Sequence, residues 1–288
     1  MNPAAAAMRL RLYLDAIKFE HTIFALPFAF LGMVLAQDGW PGWRTFLWIT
    51  VAMAGARTGA MAANRLIDAR LDAANPRTAE RALPAGRMSR VEMLGLASAG
   101  FALLHIAAWQ LNLLALALAP VAMVTVTLYS FTKRFTWLSH WMLGLADGIA
   151  PVGGWIAVRG EIGAEAIVLA LVVMFWIAGF DVLYSLQDLA FDRKRGLHSV
   201  PARFGTRRAL QMARGSHALT VVVLIVLGLI APLSWPYWVG VGLIGALLIY
   251  EHALLRNDLS RLNLAFFNMN GYVAITALVF TIAGVWVA

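Results

Sequence analysis

Two segments of the chain carry polar residues at four-residue steps, and each segment follows directly on a long apolar run. The polar positions are Asn64, Asp68 and Asp72 in the first segment and Tyr184, Asp188 and Asp192 in the second. Side chains four residues apart share one face of a helix, so each segment predicts one polar stripe. With Asp181, these two segments hold five of the 15 acidic residues. Carboxylates at the edge of a bilayer are costly and rarely idle, which indicates a functional site.

Clustered oxygen ligands of this kind indicate a hard divalent cation. The chain has no cysteine, which excludes disulfides, thiolate catalysis and Cys-based metal sites. Mg²⁺ usually binds one or two carboxylates, keeps several waters and bridges to substrate phosphates. Two facing stripes therefore predict two or more Mg²⁺ ions on a diphosphate, and basic side chains would neutralise the remaining charge. The basic candidates are Lys133, Arg134, Arg57, Arg70, Arg77 and Arg193.

The composition predicts the elements that must position these stripes. With 61% hydrophobic residues, 13% charged residues and a mean hydropathy of +0.74, the chain is expected to be an all-α integral membrane protein. Apolar stretches long enough to cross about 30 Å of hydrocarbon predict about nine transmembrane helices in a bundle around a central cavity. They lie near 22–38, 45–63, 91–110, 112–130, 141–158, 164–186, 218–235, 237–255 and 265–287.

The chain is interpreted as a single transmembrane domain, 1–288, made of two related halves that carry the Asp-rich motifs at 64–72 and 181–192. In each half an apolar helix leads into the carboxylates, and a basic loop containing proline follows. The N-terminal segment lacks the apolar core of a signal peptide. Its charged residues instead predict a helix over about 8–20 that lies on the membrane surface.

Basic residues predict the orientation. Of the 23 lysines and arginines, 20 fall before the first span or in alternate connections, whereas Arg44 and Arg159 fall on the opposite side. Cytoplasmic connections are enriched in Lys and Arg, so the N-terminus and both acidic segments are expected to face the cytoplasm from a multi-pass position in the inner membrane. The net charge of +8 is attributed to this bias and to anionic lipid. Membrane lipid, and not nucleic acid, is the expected partner.

The spacing Asn64-x-x-x-Asp68-x-x-x-Asp72, together with Asp188-x-x-x-Asp192, resembles the two Asp-rich motifs of the UbiA superfamily of intramembrane prenyltransferases. The resemblance covers nearly the whole chain. Its flanks at 18–27, 75–78, 81–86 and 196–201 look like the branch labelled 4-hydroxybenzoate polyprenyltransferase, which includes enzymes of the futalosine route to menaquinone. The resemblance implies Mg²⁺-dependent ionisation of a polyprenyl diphosphate and attack on the allylic cation by a ring carbon of an aromatic acid. Such a reaction belongs to ubiquinone or menaquinone biosynthesis.

The resemblance also implies roles for single residues. The catalytic carboxylates would be Asp68, Asp72, Asp188, Asp192 and Asp181. With Asn64, the first two would hold one Mg²⁺–diphosphate side, and Asp188 and Asp192 would hold the other. Asp181 would orient a substrate or accept a proton. Contacts to diphosphate would come from Asn64, Lys133, Arg134, Arg57 and Tyr184. The segment 129–134 is similar to the family's Tyr-Pro-x-x-Lys-Arg loop, with Ser130 in place of the proline.

Two other classes of membrane protein also place carboxylates in their spanning helices. A CDP-alcohol phosphatidyltransferase needs an Asp-Gly-x-x-Ala-Arg element, but Asp68 is followed by Ala69 and Arg70. An ion-coupled transporter tends to place its carboxylates near the bilayer midplane. Asp147 is predicted to cap a helix, and binding of the acceptor is the alternative. The histidines are predicted to be structural; they are His21, His105, His140, His198, His217 and His252. The aromatic acceptor and the length of the prenyl chain stay open.

Overall fold

The computed structural model describes residues 3–18, 22–257 and 269–288, and its regular elements in these ranges are all helical. The helices are α1 (Pro3–Ala16), α2 (Thr22–Gln37), α3 (Trp43–Ala74), α4 (Arg90–Leu111), α5 (Leu113–Thr132), α6 (Ser139–Arg159), α7 (Ala164–Tyr184), a 3₁₀ turn (Ser185–Asp188), α8 (Leu189–Arg195), α9 (Val200–Ile230), α10 (Trp235–Asn257) and α11 (Asn270–Trp286).

Within these ranges, seven helical segments are long and apolar enough to cross a membrane. They begin at the first residues of α3, α4, α5, α6, α7, α9 and α10. Two shorter apolar helices, Leu26–Gln37 within α2 and Asn270–Trp286, occupy the positions predicted for the first and last spans. The prediction of an all-α membrane protein is confirmed. In the described residues, the seven long helices and the two shorter ones agree with the approximate count of nine.

The predicted boundaries differ from the observed ones at the functional end of α3. The apolar run ends near residue 63, but the helix continues to Ala74 and carries the first Asp-rich segment with it. No glycine or proline interrupts residues 60–74, and alanine, leucine and arginine favour a helix. The carboxylates of this segment are therefore fixed on a rigid helical extension of the span.

Helix α1 packs against the start of α4 and the end of α3. It ends at Ala16, earlier than the predicted boundary near residue 20, and Lys18 follows with a φ of 52°. Residues 19 and 20 lie outside the described residues. The Tyr13 hydroxyl donates to Glu92 at 3.1 Å, and Arg65 Nε donates to the backbone oxygen of Ala16 at 3.3 Å. These bonds tie the N-terminal helix to the helix that carries the first stripe.

Glycines allow the spanning helices to approach closely. A Cβ atom on Gly100 of α4 would lie 2.4 Å from the backbone nitrogen of Gly59 on α3. On α6, a Cβ atom on Gly154 would lie 2.1 Å from the backbone oxygen of Ala29 on α2. Small residues at such contacts let helix backbones pack directly in a membrane. Helix α3 is thereby held against α4, and α6 is held against α2.

Candidate active site

The two Asp-rich segments meet at a polar pocket of about 250 Å³ at the ends of α3 and α7. Lys133, at the end of α5, and His140, near the start of α6, also line it. The polar pocket contains most of the side chains predicted from the sequence. These are Asn64, Asp68, Asp72, Lys133, Asp181, Tyr184, Asp188 and Asp192. The structure therefore brings together two motifs that lie 120 residues apart in the chain.

Asp68 is the most enclosed carboxylate of the first segment, with a side chain only 4% exposed. Lys133 Nζ donates to its Oδ2 atom, and Arg134 Nη2 donates to its Oδ1 atom at 3.2 Å. Asn64 Nδ2 lies 3.4 Å from Asp68 Oδ2 and donates to Ser130 Oγ at 3.0 Å. Both basic residues of the loop after α5 thus pair with one carboxylate, which balances only one of their two positive charges.

Asp72 lies one turn further along α3 and is paired with Arg81 from the following loop. Arg81 Nη1 donates to Asp72 Oδ1 at 2.7 Å. The second oxygen, Asp72 Oδ2, is buried and has no hydrogen-bond partner within the part of the chain that the structure describes. A buried carboxylate oxygen without a donor is costly, so this atom is suited to a ligand that the protein itself does not supply.

The second segment is not the single continuous helical stripe that the sequence predicts. Helix α7 ends at Tyr184, a 3₁₀ turn covers Ser185–Asp188, and α8 begins at Leu189. A 3₁₀ turn has three residues per turn, so four-residue steps do not keep to one face across it. The side chains of Tyr184, Asp188 and Asp192 nevertheless line the same pocket. The prediction that these side chains lie close together is correct. The prediction that one continuous helix brings them together is wrong.

Asp188 is bound by the loop that follows the first segment. Arg77 Nε donates to its Oδ1 atom at 2.9 Å, and Asn75 Nδ2 donates to the same atom at 2.9 Å. Arg77 Nη1 also donates to the Tyr184 hydroxyl at 3.1 Å. Burial alone lowers the pKa of the Arg77 guanidinium, but hydrogen bonding to Asp188 and the charge of its carboxylate outweigh burial, so the pKa is raised. This guanidinium therefore stays charged.

Asp192 is contacted by a residue that immediately precedes α9, and Asp181 is contacted by a residue of α6. Asp192 is buried and hydrogen-bonds the Ser199 side chain. Asp181 Oδ2 lies 2.7 Å from His140 Nδ1. The sequence had assigned His140 a structural role, and a lone histidine on an apolar helix carries no local signal of such a contact. Its partner lies 41 residues away on another helix.

An apolar cavity of about 300 Å³ lies among α3, α4, α5 and α6. Tyr129 lines both this cavity and the polar pocket, so it marks the place where the two spaces adjoin. Arg57 lines the apolar cavity, not the polar pocket, and its Nη1 atom lies 3.8 Å from Asp147 Oδ1. Asp147 is in the interior of α6, so the prediction that it caps a helix is wrong. The structure does not bring Arg57 together with the carboxylates predicted to bind diphosphate.

The remaining basic candidates have different positions. Arg70 is exposed on α3, and Arg193 donates to the backbone oxygen of Ala202 at 3.3 Å. Arg81 was not predicted as a partner of Asp72, because its charge was attributed to the orientation of the chain in the membrane. Its position four residues after Arg77, in the loop that follows the Asp-rich helix, was the available signal.

The donor set fits Mg²⁺ bridged to a phosphorylated ligand better than a metal cage made by protein alone. Among the described residues, no group of three or more acidic or histidine side chains converges closely enough to hold a metal ion. Mg²⁺ needs only one or two carboxylates when waters and phosphate oxygens complete its shell. Asp72 Oδ2 is buried and has no donor among the described residues, so it could serve as such a ligand atom on the first segment. Asp68, Asp188 and Asp192 add oxygen atoms around the same pocket.

Comparisons with known proteins agree with the geometry. A family model described as the UbiA prenyltransferase family matches residues 25–287. A 4-hydroxybenzoate octaprenyltransferase of Methylobacillus flagellatus is 31% identical over 78% of this chain and 76% of its own length. The solved structure of a UbiA homologue from Aeropyrum pernix is 33% identical and has a TM-score of 0.84, with 92% of this chain and 98% of that chain covered.

A more distant structure shares the fold and was solved with ligands. It is a UbiA homologue from Archaeoglobus fulgidus bound to GPP and Mg²⁺, with a TM-score of 0.73 and 21% identity. The superposition covers 96% of this chain and 99% of that chain.

Proposed function

Because the chain belongs to the UbiA prenyltransferase family, we propose that it transfers a polyprenyl group from a polyprenyl diphosphate to a ring carbon of an aromatic acid, with Mg²⁺ as cofactor. 4-Hydroxybenzoate is the proposed acceptor, because the similar curated proteins are named 4-hydroxybenzoate octaprenyltransferases. The observation that carries the proposal is the meeting of both Asp-rich segments at one polar pocket that adjoins an apolar cavity. The first space suits a diphosphate, and the second suits a hydrocarbon chain.

The diphosphate is proposed to lie in the polar pocket between the two segments. Mg²⁺, when bound, would supply positive charge that stabilises the leaving diphosphate. Asn64, Asp68 and Asp72 would hold the metal on one side, and Asp188 and Asp192 would hold it on the other. The Archaeoglobus homologue was solved with GPP and Mg²⁺, which supports a prenyl diphosphate and Mg²⁺ as the ligands.

Basic residues around the pocket are proposed to exchange partners when the substrate arrives. Lys133, Arg134, Arg77 and Arg81 are paired with carboxylates in the structure. Metal ions on those carboxylates would free the basic side chains to contact the diphosphate oxygens. Preorganised positive charge at a leaving group lowers the barrier to ionisation. Tyr184, which accepts a hydrogen bond from Arg77, would hold that guanidinium at the pocket.

The prenyl chain is proposed to occupy the apolar cavity and to leave its first carbon near Tyr129. The cavity wall is built from small and aliphatic side chains of four helices, so it offers no nucleophile or water-binding group along most of its length. An environment without water protects an allylic cation from hydrolysis. The acceptor ring must approach the same first carbon, and therefore lies near the junction of the two spaces.

Arg57 is proposed to bind the carboxylate of the aromatic acid. The sequence assigned this residue to diphosphate, but its position in the apolar cavity suits the acceptor better. Its Nε atom is buried and has no hydrogen-bond partner among the described residues, and Asp147 is 3.8 Å away at the nearest oxygen. A partly buried guanidinium whose Nε donor has no partner in the described residues matches the planar carboxylate of an aromatic acid.

The protein is a multi-pass membrane protein, and its pocket is proposed to open to the cytoplasm from the inner membrane. The excess of Lys and Arg in the connections on the pocket's side supports this orientation. Lipid is proposed to surround a single domain of two related halves. The product would serve ubiquinone biosynthesis, and menaquinone biosynthesis is the alternative for a different acceptor.

The test is a product analysis in membranes that contain the protein. Geranyl diphosphate and Mg²⁺ are supplied with 4-hydroxybenzoate, dihydroxynaphthoate or a futalosine-derived naphthoate, and mass spectrometry identifies any prenylated acid. Asp68→Asn and Asp188→Asn should each abolish product formation, whereas Asp38→Asn, at an exposed carboxylate paired with Arg159, should retain it. Full activity in Asp68→Asn or Asp188→Asn, or no product with any acceptor, would refute the proposal.

A further inference from the structure

His140 lies at a three-way contact that its sequence context does not reveal. Its side chain is only 4% exposed and sits between Asp181 on α7 and the first residue of α9. The Nδ1 atom lies 2.7 Å from Asp181 Oδ2, and the backbone N–H of Val200 donates to Nε2 at 3.1 Å. One imidazole ring therefore joins α6, α7 and α9 at the edge of the polar pocket.

These two contacts fix the protonation of the ring. Because Nε2 accepts a hydrogen bond from a backbone amide, it cannot carry a proton. The proton of the neutral imidazole is therefore on Nδ1, which donates it to the Asp181 carboxylate. The Val200 amide is one of the N–H groups at a helix start that have no partner within the helix, so this bond costs α9 nothing. His140 thus holds one oxygen of Asp181 in a defined direction.

Asp181 is placed where a ring proton must leave. The allylic carbon that is attacked is bonded to the diphosphate, so it lies between the polar pocket and the apolar cavity. Asp181 lines the polar pocket with a side chain 27% exposed. Tyr129 lines the same pocket and also lines the apolar cavity.

In the described residues, no Lys or Arg side chain pairs with Asp181, whereas Asp68, Asp72 and Asp188 each have such a partner. Among the described residues, the other two carboxylates of the segments, Asp181 and Asp192, are contacted by the neutral side chains of His140 and Ser199. Asp192 is buried and is proposed to hold the metal, which leaves Asp181 available to accept a proton.

We propose that His140 is a positioning residue that orients Asp181 as the acceptor of the proton released when the aromatic ring is prenylated. The inference rests on the proposed prenyl transfer. In that reaction the C–O bond to diphosphate breaks and its electron pair leaves with the diphosphate. A pair of ring electrons forms the new bond to the allylic carbon. The ring C–H bond then breaks, its electrons restore aromaticity, and the proton passes to the Asp181 carboxylate.

The alternative proton acceptor is the departing diphosphate, which would need no contribution from His140. The two possibilities differ in what happens when His140 is changed. A misplaced Asp181 slows only the loss of the ring proton, whereas binding of Mg²⁺ and the prenyl diphosphate depends on other carboxylates. General base catalysis contributes roughly 10²- to 10⁴-fold to a rate, so loss of orientation should reduce kcat by about 10-fold or more.

The test compares His140→Leu, which has neither a donor nor an acceptor, with His140→Gln, which offers both. His105→Gln is the matched control, because the hydrogen bond of the His105 ring in the described residues is to the Phe101 backbone oxygen of its own helix, α4, at 2.7 Å. Each protein is purified in detergent and assayed with the acceptor that the product analysis identifies, in ring-protonated and ring-deuterated forms. Binding of a non-hydrolysable prenyl diphosphate analogue with Mg²⁺ is measured in parallel.

The expected result is a lower kcat and a new primary isotope effect in His140→Leu, partial recovery in His140→Gln, and unchanged analogue binding in both. An isotope effect arises because proton loss then limits the rate, and a merely structural role would not produce it. If His140→Leu does not fold, the primary isotope effect in His140→Gln tests the proposal: its presence supports the role of His140, and its absence overturns it. Prenylation without an isotope effect in the folded variants overturns the role of His140 but leaves the proposed function intact. Absence of any product in the parent protein refutes both.

Discussion

Arg81→Gln tests whether the ion pairs of the pocket stand in for a metal. In the structure Arg81 neutralises Asp72 through a 2.7 Å hydrogen bond, and the other oxygen of Asp72 has no donor among the described residues. Removing the guanidinium leaves a carboxylate whose side chain is 8% exposed without its charged partner. The variant should therefore be less stable without a metal, and Mg²⁺ should replace the missing positive charge.

The expected size follows from burial. Breaking a fully buried pair costs about 3–5 kcal/mol. The Arg81 side chain is 30% exposed, so solvent screening reduces that figure. A hydrogen bond to a charged group contributes about 1.5–3 kcal/mol, and we expect a loss of about 2 kcal/mol. For a chain of 288 residues, that loss lowers Tm by about 3 °C, because the entropy of unfolding is about 2.1 cal/mol/K per residue. Saturating Mg²⁺ should recover most of it, because a ligand at 100 times its Kd stabilises the folded state by about 2.7 kcal/mol.

The assay is thermal unfolding of the detergent-purified protein with EDTA and with Mg²⁺. Arg87→Gln is the control, since Arg87 is an exposed residue of the same loop whose side chain, in the described residues, donates to the backbone oxygen of Glu80. The increase in Tm caused by Mg²⁺ should be larger in Arg81→Gln than in the parent and unchanged in Arg87→Gln. An equal increase in all three proteins would refute the idea that Arg81 and the metal compete for Asp72.

Three further predictions concern the loop, the cavity and the helix contact. Asp188→Asn weakens the bonds to Arg77, so limited proteolysis should cleave the loop over residues 75–89 faster; an unchanged cleavage rate would contradict the bracing of this loop. Ala119→Phe fills part of the apolar cavity, and a competition assay should show a shift toward shorter prenyl diphosphates, whereas an unaltered preference would place the chain elsewhere. Gly100→Leu forces side-chain atoms against Gly59, and Tm should fall by the equivalent of about 1–3 kcal/mol.

The first half of the site could be predicted because it depends on one continuous helix. Asn64, Asp68 and Asp72 lie on an uninterrupted stretch of α3, so a period of about four residues is sufficient to place them together. The second half needed more than periodicity. A 3₁₀ turn at Ser185–Asp188 separates Tyr184 from Asp192, and no glycine or proline in the sequence marks that change.

The contacts that the sequence missed join helices that are distant in the chain. His140 bonds residues 41 and 60 positions away, and neither partner leaves a local pattern. The depth of Arg57 was missed for a similar reason. Arg57 is seven residues before Asn64, so helical periodicity places both on one face of α3. Where the polar pocket ends and the apolar cavity begins along that face depends on the packing of several helices.

The connections after each Asp-rich segment support the opposite segment, which explains why the carboxylates occur twice. Arg77 and Asn75 follow the first segment and bind Asp188 of the second. The backbone N–H of His198, which follows the second segment, donates to the backbone oxygen of Lys133 at 2.8 Å, and Lys133 binds Asp68 of the first. Neither segment is therefore held in place by its own half alone. A diphosphate bound between them is enclosed by both halves at once, so its binding depends on their packing and on the carboxylates together.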